Sequence, residues 1–167
     1  MLFLLIQVTH SSPDTPRNIG LSNPWTEYIK FLPEVFTLPT FYSSEERELL
    51  RGTSLAAAVE AKIASLNREF DLLRDATSEI GWCRQCWWEE ETGSLNFNDW
   101  VYLDAAYRSR MVDIPGRGHA MVPCIDMVNH MTGAKANALY DADSEGNAIL
   151  QLRWGKSLHP GDEVTIS

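Results

Sequence analysis

The chain has 167 residues and a formal charge of −9, with 44% hydrophobic and 22% charged residues. That length and balance suit one ordered domain with a real core and exclude a chain disordered throughout. The acid excess argues against a nucleic-acid binder, which would present a basic face, and favours basic partners such as Lys-rich segments through long-range steering.

Leu2 to Val8 is apolar except for Gln7. The run lacks the basic lead and small-residue cleavage site of a signal peptide and is far shorter than the ~20 residues of a membrane span. It reads as the end of a buried helix. It starts at Met1 with no cap, so the chain is expected to begin inside a larger domain. Ser11 to Pro24 carries three prolines and a glycine and reads as a loop. Pro24 suits the first position of a short helix, with Trp25, Tyr28, Ile29 and Leu32 at helical spacing. Pro33 and Pro39 keep the next stretch irregular.

Ser43 followed by Glu46 predicts a capping box and a short helix, ended by Gly52. Thr53 or Ser54 then caps the clearest helix in the chain. Leu55, Val59, Ile63, Leu66, Phe70 and Leu73 form its apolar face, and alanines at 56, 57, 58 and 61 favour it by propensity. Gly81 to Gly93 is a Trp-rich, acidic connector, helical at its start. Asn96 with Asp99 predicts a further cap, opening a helix through about Met111 with Trp100, Leu103, Tyr107 and Met111 on one side. After Pro115-Gly116 the pattern shifts to short strands: Ala138 to Ala142, Asn147 to Trp154 and Glu163 to Ser167, with turn chemistry at Asp143 to Gly146. Helices first and strands last predict an α+β arrangement.

Several motifs fall short of a chemistry. The chain has three cysteines, Cys83, Cys86 and Cys124. An odd count in a chain of this length is no disulfide framework, which points to the reducing cytoplasm or nucleus. Cys83-Arg-Gln-Cys86 has only Cys124, His119 and His130 to complete four zinc ligands, with no second pair at characteristic spacing, so buried thiols are the expected role. Glu89, Glu90 and Glu91 read as a solvated face. Asp141 and Asp143 lack the other ligands of a calcium loop and read as turn residues. No G-x-S-x-G elbow, G-x-G-x-x-G or Walker loop is present. Cys124 and His130 lie close in sequence, which alone does not make a catalytic pair.

The informative stretch is Val122-Pro123-Cys124-Ile125-Asp126-Met127-Val128-Asn129-His130, followed by Asn137, a hairpin, and Leu158-His159-Pro160-Gly161-Asp162-Glu163-Val164-Thr165-Ile166-Ser167. In that order the segments resemble the C-terminal half of SET-domain protein-lysine methyltransferases. The branch is the one that includes Rubisco large-subunit methyltransferase-like and ribosomal-protein methyltransferases. Upstream, "WTEYIKFLP" from Trp25 and "LPTFYSSEERELLRGTSL" from Leu38 resemble the helical insertion of fungal members. Phe97 to Arg110, ending in Ser109-Arg110, resembles the helix before the Asn-His segment.

The resemblance implies a fold of a helical SET insertion followed by the short-strand part of a SET (β-clip) core with a knot-like crossing. It divides the chain into 1–24 (helix and loop), 25–112 (insertion) and 113–167 (β part). It implies S-adenosyl-L-methionine (SAM) as cofactor and a lysine-bearing protein, ribosomal, other non-histone or histone, as substrate, with no nucleic acid and no membrane. Asn129 would hydrogen-bond the amino-acid part of SAM, and His130 would offer backbone groups to adenine. Asp126, Met127 and Val128 would shape the same wall, and Arg110 would meet the SAM carboxylate. No catalytic residue is assigned. The family's Tyr-Gly pair is expected beyond Ser167, and no Gly-x-Gly strand precedes Trp25, so a partial and inactive form is expected of these residues. The alternative is a non-catalytic SET-like module that binds a basic protein.

Overall fold

Side-chain caps open three of the described helices. The computed structural model describes residues 1–12, 24–91 and 93–167; the loop expected over Ser11 to Pro24 lies almost wholly outside them. Two compact units result, Met1–Ala106 and Tyr107–Ser167.

The first unit is helical. α1 (Leu2–Ser11) buries Leu4, Leu5, Gln7 and Thr9. α2 (Pro24–Ile29) leads to a turn that buries Leu32. α3 (Ser44–Glu48) begins with the expected capping box. Glu46 N–H donates to Ser43 Oγ at 3.2 Å, and the Glu46 carboxylate accepts from Ser43 N–H at 2.8 Å. α4 (Ser54–Thr77) is capped by Thr53, whose hydroxyl accepts from Ala56 N–H. Val59, Leu66 and Phe70 of its predicted face are buried. Leu55, in the first turn, stays 45% exposed, so the buried stripe starts one turn later than its spacing suggests. α5 (Gly81–Cys83) runs into a π-helical turn, Arg84–Trp88, that buries Cys86 and Trp87.

The Asn96–Asp99 cap also forms. Asn96 Oδ1 accepts from Asn98 and Asp99 N–H, and Asp99 Oδ2 accepts from Asn96 N–H at 2.8 Å. α6 spans Phe97–Arg110. Met111, expected on its apolar side, instead opens a strand. The chain turns extended there because it pairs with a second strand across the Pro115-Gly116 turn. Among the described residues no helix is long and apolar enough to cross a membrane.

The second unit holds the strands. β1 (Met111–Ile114) and β2 (Gly118–Met121) form an antiparallel hairpin, which the sequence pattern did not announce. β3 (Asn129–His130) pairs in parallel with β6 (Thr165–Ile166), in the register Asn129↔Thr165 and His130↔Ile166. β4 (Ala138–Ala142) and β5 (Ala148–Leu152) form the expected hairpin. Asp143 organises its turn: Oδ1 accepts from Glu145 and Asn147 N–H, and Oδ2 accepts from Asn147 Nδ2. Gly146 closes that turn with φ +82°, where a side chain would also collide with the Arg117 guanidinium. β5 stops at Leu152, short of the expected Trp154, which stands fully exposed. Mixed helices and small sheets make this an α+β chain, as expected.

Candidate functional site

The parallel contact between β3 and β6 brings together the two segments that carried the family resemblance. Each is placed by a local device. Past β2, Asp126 N–H donates to Val122 O at 3.0 Å, and a single 3-10 turn, Ile125–Met127, follows. The turn is entered through Cys124 at φ 72°, a left-handed conformation uncommon for a residue with a side chain. This compact turn buries the Asp126 carboxylate completely. The last turn of α6 supplies its cation: Arg110 Nη1 lies 3.4 Å from Asp126 Oδ2, with 16% of the arginine side chain exposed. Arg110 Nε is buried and has no hydrogen-bond partner among the described residues. Tyr140, on β4, also feels the Asp126 carboxylate. Burial, and next the Asp126 charge, push its hydroxyl above the usual tyrosine value.

Beyond the turn the chain extends through Val128 into β3. Met131 N–H continues the pairing by donating to Ile166 O at 2.7 Å. The side chain of Asn129 does not stand alone. Its Nδ2 donates to Glu163 Oε1 at 2.6 Å.

A third stretch fastens the two strands. Asn137 Nδ2 donates to Glu163 O at 2.9 Å, Asn137 Oδ1 accepts from Thr165 N–H at 2.8 Å, and Asn137 N–H donates to Thr165 O at 3.1 Å. One asparagine therefore acts as a short strand towards residues 163–165. This also explains why β6 begins at Thr165 and not at the expected Glu163. Arg153 adds bonds to Gly133 O and Ser167 Oγ, and Lys156 reaches Ala134 O at 2.7 Å.

Of the residues singled out from the sequence, Arg110 and Asp126 are joined by an ion pair, and Asn129 and His130 by one strand. Met127 is 39% exposed, Val128 is half-buried and His130 is exposed. Asn137 had been read only as part of a motif, and Glu163 also as the first residue of an expected strand. Their roles depend on tertiary pairing, and the only trace in the sequence was the polar Gly161-Asp162-Glu163 run ahead of a strand. Cys83 and Cys86 are buried and outside any disulfide, with Cys83 pushed up by burial first and by Cys86 second. Asp143 is pulled below the usual carboxylate range chiefly by the Asn147 side-chain hydrogen bond, in keeping with its place in a turn. Among the described residues no group of three or more His, Cys, Asp or Glu is placed to hold a metal.

No family model matches the chain. The chain is similar to SET domain-containing protein 8 of Schizosaccharomyces pombe, at 26% identity over 146 residues, covering 87% of this chain and 30% of that protein. It is also similar to the N-lysine methyltransferase SETD6 of Mus musculus, at 28% identity over 136 residues, covering 73% of this chain and 27% of the relative. The chain thus spans less than a third of the length of these relatives. Its fold matches crystal structures of the SET domain of LSMT. The match to the form bound to lysine and AdoHcy has a TM-score of 0.68 at 17% identity. The match to the form bound to MeLysine and AdoHcy has a TM-score of 0.64 at 18% identity. Both cover 98% of this chain, and 36% and 35% respectively of the matched chains. At that identity the likeness is one of fold: the chain carries a SET-domain fold, as its sequence resemblance implied.

Proposed function

We propose that these residues form the cofactor-side part of a SAM-dependent protein-lysine N-methyltransferase. The observation that carries this reading is the parallel pairing of Asn129-His130 with Thr165-Ile166, which joins the two motif segments next to the Arg110–Asp126 pair. The relatives support it as well: one is named as an N-lysine methyltransferase, and the matched crystal structures hold AdoHcy with lysine or methyl-lysine.

The donor set fits the group. A sulfonium amino acid presents a carboxylate, an ammonium, a ribose and a purine. Arg110 keeps a buried Nε without a hydrogen-bond partner among the described residues, a fixed cationic donor suited to the carboxylate. Asn129 offers an amide to the amino-acid portion. Exposed strand backbone at His130 would serve the purine, with Met127 and Val128 forming an apolar wall and Asp126 holding Arg110 in place. When bound, SAM supplies an activated methyl group. The chain's own residues would contribute position, holding the amino-acid tail of the cofactor.

The proposed substrate is a lysine-bearing protein, ribosomal, other non-histone or histone, met in the cytoplasm or nucleus. Calorimetry tests the reading: SAM should bind, and Asn129→Ala should weaken it about tenfold, the loss of one hydrogen bond to a charged group. No heat with SAM, together with binding of a Lys-rich peptide, would instead favour the non-catalytic module. Radiolabel passing from SAM to a basic protein would exclude the non-catalytic module.

A further inference from the structure

The Asn129–Glu163 bond is unusual for its surroundings. Both residues are exposed, they lie 34 apart in sequence, and the contact is 2.6 Å. An exposed polar contact stabilises a fold little, because water replaces either partner at small cost. Here the backbone on both sides is already held. Asn129 sits in the β3–β6 ladder, and the Glu163 carbonyl is clasped by Asn137 Nδ2 at 2.9 Å. The two side chains therefore meet with little ordering left to lose.

The chemistry of the contact has a direction. A carboxylate only accepts hydrogen bonds, so the amide must turn its NH2 group towards Glu163 and keep Oδ1 for any other partner. Among the described residues, Asn129 Oδ1 takes no hydrogen bond. A free asparagine flips between presenting a donor and an acceptor; this one is committed to presenting an acceptor.

We infer that Glu163 is a positioning residue that locks the Asn129 amide, through the Asn137 clasp, into the orientation that selects an ammonium donor in the ligand over its carboxylate. This rests on the proposed SAM reading and assigns the polarity of that subsite.

The test compares two ligands: S-adenosylhomocysteine, which carries the amino-acid tail, and 5′-methylthioadenosine, which lacks it. Glu163→Ala is expected to weaken the first about tenfold and leave the second unchanged, since one hydrogen bond to a charged group is lost. Glu163→Gln, which keeps an acceptor oxygen, should recover much of the loss. Asn137→Ala, which loosens the strand crossing itself, should weaken both ligands. Equal weakening of both ligands by Glu163→Ala, or no weakening of either, overturns the inference.

If the unsubstituted chain binds neither ligand, the SAM reading fails, and the positioning claim is decided separately by NMR. The Nδ2 proton facing Glu163 should be shifted from its free-amide value in the unsubstituted chain and return towards it in Glu163→Ala. Signals that do not move would overturn the claim.

Discussion

Met1–Ala106 and Tyr107–Ser167 are held together by different means. The first unit buries large side chains: Leu5, Leu66, Trp87, Trp100 and Leu103 are all below 7% exposure. Aromatic edges meet throughout it, as where Trp82 stands 5.1 Å from Trp87 and Phe70 5.6 Å from Trp88. The second unit buries the apolar Val112, Ile114, Ala136, Ala138 and Ile166, a much smaller set. Its three sheets have two strands each, and such ribbons are marginal by themselves. Side chains that bond backbone make up the difference, with Asn137, Arg153 and Lys156 tying the loops to β6 and to one another. The units also differ in charge. Of 23 acidic and 14 basic residues, 16 and 8 fall in the first and 7 and 6 in the second. The acidic steering expected from composition therefore belongs to the helical unit, while the candidate cofactor residues sit in a nearly balanced one. An apolar core tolerates drift in polar residues, whereas a polar-pinned unit depends on a few named side chains.

The comparison can be broken at its strongest point first. Trp87 is 2% exposed, and its Nε1 donates to the buried Thr9 hydroxyl at 2.9 Å. Trp87→Ala should cost about 4 kcal/mol, the range for removing a buried aromatic. Denaturant titration reads this directly, and a loss below about 1 kcal/mol would mean that apolar burial does not hold the helical unit.

In the second unit the largest effect should come from a charge. Asp126→Ala leaves the mostly buried Arg110 without its recorded partner and should cost about 3 kcal/mol, the usual range for breaking a buried pair. An unchanged melting midpoint would show that the pair is not structural. The smallest effect is a pH dependence. Tyr140 is held above the usual tyrosine value by burial and then by Asp126. A phenol that is harder to ionise when folded contributes stability that is intact below about pH 10 and lost as the pH rises through the folded value. Tyr140→Phe should remove that alkaline slope. Followed by phenolate absorbance, Asp126→Ala should move the Tyr140 titration back down, and a titration that stays put would remove Asp126 from the account.

Much of the helical unit was legible because its signals are local. Ser43 with Glu46, Thr53, and Asn96 with Asp99 each satisfy backbone N–H groups within three residues, so residue type and spacing suffice. The β4–β5 hairpin was legible for the same reason, since Asp143 builds its own turn. The β1–β2 hairpin was not. Met111 continues the apolar spacing of α6, and nothing within a few residues says that the chain will extend there.

The sequence by itself determined the order of helices before strands, three of the caps, one hairpin and the motif segments at Asp126–His130 and Glu163–Ser167. Only the tertiary structure decided that these segments pair in parallel, that Arg110 meets Asp126, that Glu163 meets Asn129 and that Asn137 clasps residues 163 to 165. Caps and turns are settled by neighbours within a few residues, where spacing along the chain is itself the geometry. The candidate site is made by residues 16 to 36 apart, whose meeting depends on the path of all the chain between them.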